Sequence, residues 1–199
     1  MILGIAKFIR FMNGNIFLNA LLIAVVLPFV IIAVGYAIHM LGVGLAVLLS
    51  LFVDPWWVNV IINYIMFPGV MLHELSHALF AVITGAKVTE MKLFKKEGDS
   101  LGHVNFRHRG STILIAIQKI FISAAPMFCG FFIVTGCWHV VAHTGVNIEL
   151  KILLGYIGFS MFFHMTMSPQ DIKVYWKGIP VFMGILFLEG IILRLFHVI

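Results

Sequence analysis

The stretch His73-Glu74-Leu75-Ser76-His77 has the residue types and spacing in this chain that are best suited to chemistry. On a helix, side chains four residues apart share a face, so His73 and His77 can present two imidazole rings to one metal ion while Glu74 flanks it. This HExxH pattern predicts a zinc ion held by the two histidines and a glutamate that acts as general base toward water. The chemistry predicted is hydrolysis.

A catalytic zinc ion usually takes three protein ligands, so the motif requires one more. Asp171 ends the stretch HMTMSPQD, where an apolar segment stops, and is the third ligand that we predict. An alternative role for Asp171 is to cap a helix that starts at Ser168-Pro169. His164 is the next candidate, as a ligand or as a donor to the transition state. If the third ligand were a glutamate, it would be Glu189 in the last apolar segment.

A second histidine pair with the same spacing, His139 and His143, has no acidic residue within it. A pair without a base can bind a metal ion but does not easily activate water. Because Trp138 is adjacent, we interpret this pair as an interfacial feature near the outer membrane face.

The elements that must position the motif are membrane segments. Hydrophobic residues make up 62% of the 199 positions and charged residues 11%, and the mean hydropathy is +1.10. The 43 positions between Arg10 and Asp54 carry no Asp, Glu, Lys or Arg, although about 20 apolar residues suffice to cross a bilayer. This composition excludes a soluble globular domain. Ionisable residues inside an apolar segment are functional by default.

We predict an all-α polytopic membrane protein with five membrane crossings, or six as the alternative, in one membrane-embedded domain over residues 1–199. An interfacial helix over 1–15 would precede an anchor segment at 16–53, which makes one net crossing if the amino terminus is cytoplasmic. Whether residues 39–53 themselves cross is left open. The other predicted spans are 55–86, 113–142, 149–167 and 178–198; the catalytic core covers 55–180 and the last helix 181–199.

The polar stretch between Gly85 and Gly110 carries six lysines and arginines, which indicates a cytoplasmic loop. Within it, VTEMKLF at 88–94 and LGHVNFR at 101–107 are typical of short strands around the turn-rich KKEGDS. A β-hairpin at the cytoplasmic membrane surface is expected, with a disordered basic loop as the alternative.

The sequence argues against a disulfide bond and against a nucleic-acid-binding module. Cys129 and Cys137 would lie roughly 12 Å apart on a continuous helix, too far for a disulfide. The net charge is +5, but the basic residues are dispersed and do not form a nucleic-acid-binding module. We therefore expect no nucleic-acid partner.

Residues 66–180 resemble the site-2 protease family of intramembrane zinc metalloproteases. The resemblance rests on HExxH inside a span, the basic hairpin-like stretch after it, the Ala125-Pro126 break in a later span and an Asp close to a Pro near the end of another. It implies that His73, His77 and Asp171 hold one zinc ion and that Glu74 is the base. Ile172 stands where the family commonly has Gly.

The resemblance implies a minimal protease, without added soluble domains, that cleaves membrane-protein or peptide substrates. An extended substrate segment would add to a hairpin strand, with Met91, Val104, Asn105 and His164 as the substrate-binding residues. We expect a multi-pass protein of a prokaryotic cell membrane, embedded in the lipid bilayer, with its site nearer the cytoplasmic half. The alternatives are a divalent metal ion transporter and a catalytically inactive zinc-binding membrane protein.

Overall fold

The structure is a computed structural model that describes residues 16–93, 102–143 and 145–195. It consists of long helices and one small hairpin, in the order α1 Ile16–Ser50, α2 Pro55–Val60, a π-helical turn Ile61–Ile65, α3 Phe67–Ile83, β1 Lys87–Lys92, β2 His103–Arg107, α4 Thr112–Ala142, α5 Ile148–His164 and α6 Pro169–Leu195. The interfacial helix predicted over 1–15 lies outside the described residues, as do Phe94 and Leu101 of the predicted strands.

Three of the described helices, α1, α4 and α6, are long and apolar enough to cross a membrane. A fourth span results if α2 with the π-helical turn and α3 count as one, bent by 54°. This is consistent with a membrane protein, but the prediction of five or six crossings is wrong for the part of the chain that is described. Helix α5 accounts for the difference, because its 17 residues extend only about 26 Å, less than the hydrocarbon core of about 30 Å.

Two predicted boundaries also move. Residues 16–50 form one continuous helix, so the 39–53 region is mostly the last part of α1 and not a separate crossing. Helix α6 starts at Pro169 and continues through Pro180, where the sequence predicted a polar connection followed by a separate helix. Lys173 and Lys177 lie between the predicted spans 149–167 and 178–198 and suggested that connection, but both are exposed on the helix.

The predicted β-hairpin is confirmed in the described residues. Helix α3 ends before Gly85, whose φ of +80° lies in the region that favours glycine, and the chain then turns into β1. Strands β1 and β2 are antiparallel, with Met91 opposite Val104 and a bulge between Val88 and Glu90. Both strands pack against α3, so the hairpin covers the helix that carries the HExxH motif.

Helix α3 packs between α4 and α5, and α6 packs against α4 and α1. Most of the apolar side chains of α1 remain exposed, as expected for a surface that faces lipid. The main buried cluster is formed by α4, α6 and the turn before α6 and comprises Ile120, Ala124, Met167, Tyr175, Ile179 and Phe182. This cluster therefore packs α6, the helix that carries Asp171, against α4.

Helices α3 and α5 approach each other closely at Gly69. A Cβ atom on Gly69 would lie 2.3 Å from the Ser160 carbonyl oxygen and 2.5 Å from Nδ1 of His164. The Gly69 backbone N–H donates to Oγ of Ser160 at 2.8 Å, and that hydroxyl donates to the Met66 carbonyl at 2.6 Å. This contact brings the end of α5 beside the HExxH motif.

Candidate metal centre

The structure brings the three predicted ligands together. Nε2 of His73 lies 3.2 Å from Nε2 of His77, which in turn lies 3.5 Å from Oδ1 of Asp171. All three ligand atoms are within 4.8 Å of one another, and no other group of three such side chains is found among the described residues. The two histidines come from α3 and the carboxylate from the first turn of α6.

Backbone carbonyls determine which nitrogen of each ring faces the centre. Nδ1 of His73 lies 2.6 Å from the His164 carbonyl oxygen, and Nδ1 of His77 lies 2.7 Å from the Ile122 carbonyl oxygen. A carbonyl oxygen only accepts hydrogen bonds, so Nδ1 must be the donor in both neutral rings. Each Nε2 is then an unprotonated lone pair, the form that binds a metal ion. Two such lone pairs and a carboxylate repel one another unless a cation lies between them.

The position of Asp171 is compatible with both of the roles that the sequence left as alternatives. Its Oδ2 accepts hydrogen bonds from the Ser168 backbone N–H at 2.8 Å and from the Ser168 hydroxyl at 2.6 Å. The Asp171 backbone N–H donates to the same hydroxyl at 3.1 Å, which completes a reciprocal cap at the start of α6. The other carboxylate oxygen, Oδ1, is the one near His77. Capping thus orients the carboxylate toward the two rings.

Glu74 lies beside the three ligands and beneath the hairpin. Its carboxyl group lies near the ionisable side chains of His77, Asp171 and His103 and near the backbone of Val104. A Cβ on Gly102 would be 3.1 Å from Cγ of Glu74, so the start of β2 rests on this side chain. The position suits a base that serves a reactant between the metal ligands and the hairpin.

The hairpin residues predicted to bind substrate have different positions. Val104 reaches Glu74 through its backbone, whereas Met91 is exposed on β1. The Asn105 side chain donates to Oε2 of Glu90 at 3.1 Å, and Nζ of Lys92 lies 2.7 Å from Oε1. Hydrogen bonds from Lys92 and then Asn105 lower the pKa of the Glu90 carboxyl. The Asn105 amide therefore makes its hydrogen bond within the hairpin, and the structure does not bring it to the predicted metal ligands.

His164 adjoins the centre through its backbone. Its carbonyl accepts the bond from His73, while its own Nδ1 lies 2.8 Å from the Ser160 carbonyl, to which it donates. The side chain also borders a largely apolar cavity of about 280 Å³, between α1, the π-helical turn and the end of α5. The polar residues His39, Asn63 and Thr166 line the same cavity.

The remaining candidates lie elsewhere. Glu189 is 18 residues after Asp171 on the same helix, about 27 Å along its axis, so the structure does not bring this alternative ligand to the histidines. His139 and His143 are exposed at the end of α4, with ring centroids 5.4 Å apart. Cys129 and Cys137 are both free, as expected.

No protein-family model, curated protein or solved structure matches the chain. The geometry of the centre therefore carries the functional argument.

Sequence reasoning missed two of the groups that hold the predicted ligands in place: Ile122 contributes a carbonyl, and Ser160 joins α3 to α5. Ser168, which fixes Asp171, was expected as a helix cap but not as a group that orients a predicted ligand. A backbone carbonyl gives no signal in the residue type, so Ile122 could not be found from the sequence. Ser168 did carry a signal, because a serine three residues before an acidic residue is a capping pattern.

Proposed function

We propose that the protein is an intramembrane zinc metalloprotease that hydrolyses peptide bonds in or near membrane-spanning segments of other proteins. The observation that carries the proposal is the convergence of His73, His77 and Asp171, with each imidazole Nδ1 occupied by a backbone carbonyl. Such an arrangement leaves three metal-binding atoms directed at one point. Glu74 supplies the base that a purely structural metal site does not need.

The donor set and its spacing fit zinc. Ligand atoms bound to zinc at 2.0–2.1 Å in a tetrahedron lie about 3.3 Å apart. The separations of His77 from His73 and from Asp171, 3.2 Å and 3.5 Å, are close to that value, and all three atoms lie within 4.8 Å of one another. Two imidazoles and one carboxylate leave a fourth position open for water or substrate, which is the pattern of catalytic zinc sites.

When bound, zinc would supply a Lewis acid that polarises the substrate carbonyl and makes water more acidic. Glu74 takes a proton from the attacking water and then gives it to the leaving amine. His73 and His77 keep their Nε2 atoms on the reacting side, because the carbonyls at Nδ1 fix their orientation. Asp171 contributes negative charge through Oδ1 while its other oxygen remains bound to Ser168.

The substrate must present an extended segment, since amides in a helix are hydrogen-bonded within it. We propose that the hairpin over α3 holds such a segment by strand addition, with Met91 and Val104 on the paired strands. The cavity beside His164 offers space for an apolar side chain next to the centre. The cations of the hairpin region favour a location in the cytoplasmic half of a cell membrane.

The test combines zinc content with cleavage of a panel of membrane-segment peptides in detergent. Wild type, Glu74→Gln and Glu189→Gln are compared, the last as a glutamate control in α6. We expect about one zinc in all three proteins, and a loss of cleavage of about 10²–10⁴-fold in Glu74→Gln only.

Other outcomes would point elsewhere. Wild-type protein without zinc would refute the metal centre. Zinc without cleavage by the wild type would favour the metal transporter or the inactive zinc-binding protein. Equal loss of cleavage in both glutamine variants would remove Glu74 from its role as base.

A further inference from the structure

Pro126 lies inside α4, four residues after Ile122, and is fully buried. In an α-helix the N–H of each residue bonds to the carbonyl four residues earlier. Proline has no N–H, so the Ile122 carbonyl lacks its usual helical donor. A buried carbonyl without a partner is costly, and this one must therefore find a donor outside the α4 ladder.

The donor that it finds is Nδ1 of His77, at 2.7 Å. We propose that Pro126 is a positioning residue for the metal centre: by supplying no N–H to the Ile122 carbonyl, it reserves that carbonyl for His77. The reserved carbonyl keeps the proton of the His77 ring on Nδ1, and Nε2 then faces His73 and Asp171. This inference rests on the centre proposed above and adds a residue that acts on His77 through the Ile122 carbonyl.

His73 is also oriented by a carbonyl that has no donor within its helix, but this carbonyl lies at a helix end. His164 is the final residue of α5, and the last four carbonyls of a helix have no donor within it. One of these free carbonyls accepts the hydrogen bond from His73. The end of a helix therefore orients His73, whereas the middle of a helix offers His77 a carbonyl with no competing helical donor because Pro126 interrupts the ladder.

Helix α1 provides a matched control. Pro28 also lies inside a helix and is also fully buried, and it frees the carbonyl of Ala24. Helix α1 carries none of the three predicted ligands. Pro28→Ala therefore repeats the loss of a buried ring and the gain of a helical N–H without any change at His77.

The first measurement is zinc affinity, by competition with a chelator in detergent. Loss of a group that orients a metal ligand typically costs about 10–100-fold, so we expect that loss in Pro126→Ala and a change within about twofold in Pro28→Ala. Equal losses in the two variants, or wild-type affinity in Pro126→Ala, would overturn the inference.

The second measurement does not need zinc. In metal-free protein with ¹⁵N-labelled histidine, NMR distinguishes the two ring tautomers, and the His77 signals are assigned with His77→Asn. We expect His77 to be protonated at Nδ1 in the wild type and to become a mixture in Pro126→Ala, while His73 stays unchanged. An unchanged His77 tautomer would refute the role of Pro126. Failure of the wild type to bind zinc would instead refute the proposed function.

A third variant separates the missing N–H from the proline ring. Lactic acid at position 126 has the methyl group of alanine but an ester oxygen in place of the N–H. If the missing N–H matters, this protein should recover zinc affinity to within about threefold of wild type, because the Ile122 carbonyl is again free. A loss as large as that of Pro126→Ala would show that the ring shape matters and would overturn the inference.

Discussion

The two histidine pairs of this protein share their spacing and their ring contact. His73 and His77 meet edge to face with centroids 4.8 Å apart at 79°, and His139 and His143 do so at 5.4 Å and 80°. His73 and His77 lie on successive turns inside α3, whereas His139 and His143 lie at the end of α4. Neither the spacing nor the ring contact distinguishes them.

The surroundings of the two pairs differ. The first pair is held by two backbone carbonyls, has a carboxylate 3.5 Å from one ring and includes a glutamate. The second is exposed at the end of α4, and in the described part of the chain its rings meet each other and no carboxylate. Helical spacing aligns two rings, but only the groups behind them determine which nitrogen is available to a metal ion.

The largest expected effect comes from removal of one histidine from each pair. Loss of a group that orients a ligand costs about 10–100-fold in zinc affinity. His73→Ala should lower the affinity further, because it removes a predicted ligand itself. His139→Ala should leave zinc content unchanged. Zinc is measured by elemental analysis after gel filtration. Equal losses would show that the second pair also binds the metal.

The next effect concerns the carboxylate that only the first pair possesses. Ser168→Ala removes the hydroxyl that donates to Oδ2 of Asp171 and accepts from the Asp171 backbone N–H, and zinc affinity should fall by about 10–100-fold. Ser111→Ala is the matched control, because Ser111 caps α4 by accepting from the Leu114 N–H. Each variant should lose about 1 kcal/mol of stability, measured by unfolding, but only the first should lose zinc affinity. A similar zinc loss in both would reduce the role of Ser168 to general stability.

A smaller effect is expected at the helix contact that brings the His164 carbonyl to His73. Gly69→Ala would place a methyl group against the Ser160 carbonyl and should cost about 1–3 kcal/mol. Gly155→Ala, on the facing helix, meets no atom within 4 Å and should not destabilise the protein, because alanine favours a helix interior over glycine. Thermal unfolding in detergent compares the two. Equal stability of both variants would show that α3 and α5 are not in close contact.

The smallest effect is expected when the second pair is made to look like the first. Val140→Glu completes the pattern HExxH over residues 139–143. Because no carboxylate from another helix reaches this pair among the described residues, zinc content should not rise. The same substitution should also fail to restore zinc to His73→Ala. Recovery of zinc would mean that the HExxH spacing alone is enough to bind the metal, and the difference between the two histidine pairs would not depend on their surroundings.

The three residues that converge could be predicted from the sequence. The i, i+4 spacing of His73 and His77 is a local property of a helix, and few acidic residues lie near the later apolar segments. The prediction treated capping and metal binding by Asp171 as competing roles, but a carboxylate has two oxygens: Oδ2 takes part in the cap, while Oδ1 faces His77. The orienting carbonyls could not be predicted, because every residue type carries a carbonyl and the contacts depend on helix packing.

The helix boundaries were predicted less well for a physical reason. Lys173 and Lys177 suggested a polar connection, but long basic side chains on a helix can extend to a polar region while their stems remain on apolar surface. Helix α6 can therefore include both lysines, and it starts at Pro169. Helix α5 is shorter than its apolar sequence suggested, because it ends at His164 and the chain turns before Ser168.

The pairing of the first and last helices has a consequence for biogenesis. Phe29 packs against Trp176, and the Tyr175 hydroxyl donates to the Pro28 carbonyl at 3.3 Å. Asp171 lies at the start of this last helix, 94 residues after His77. A chain still being synthesised thus holds both histidines long before the carboxylate arrives. The hydrolysis that we propose would then begin only when α6 has docked on α1 and α4, and the nascent chain would not cut its neighbours in the membrane.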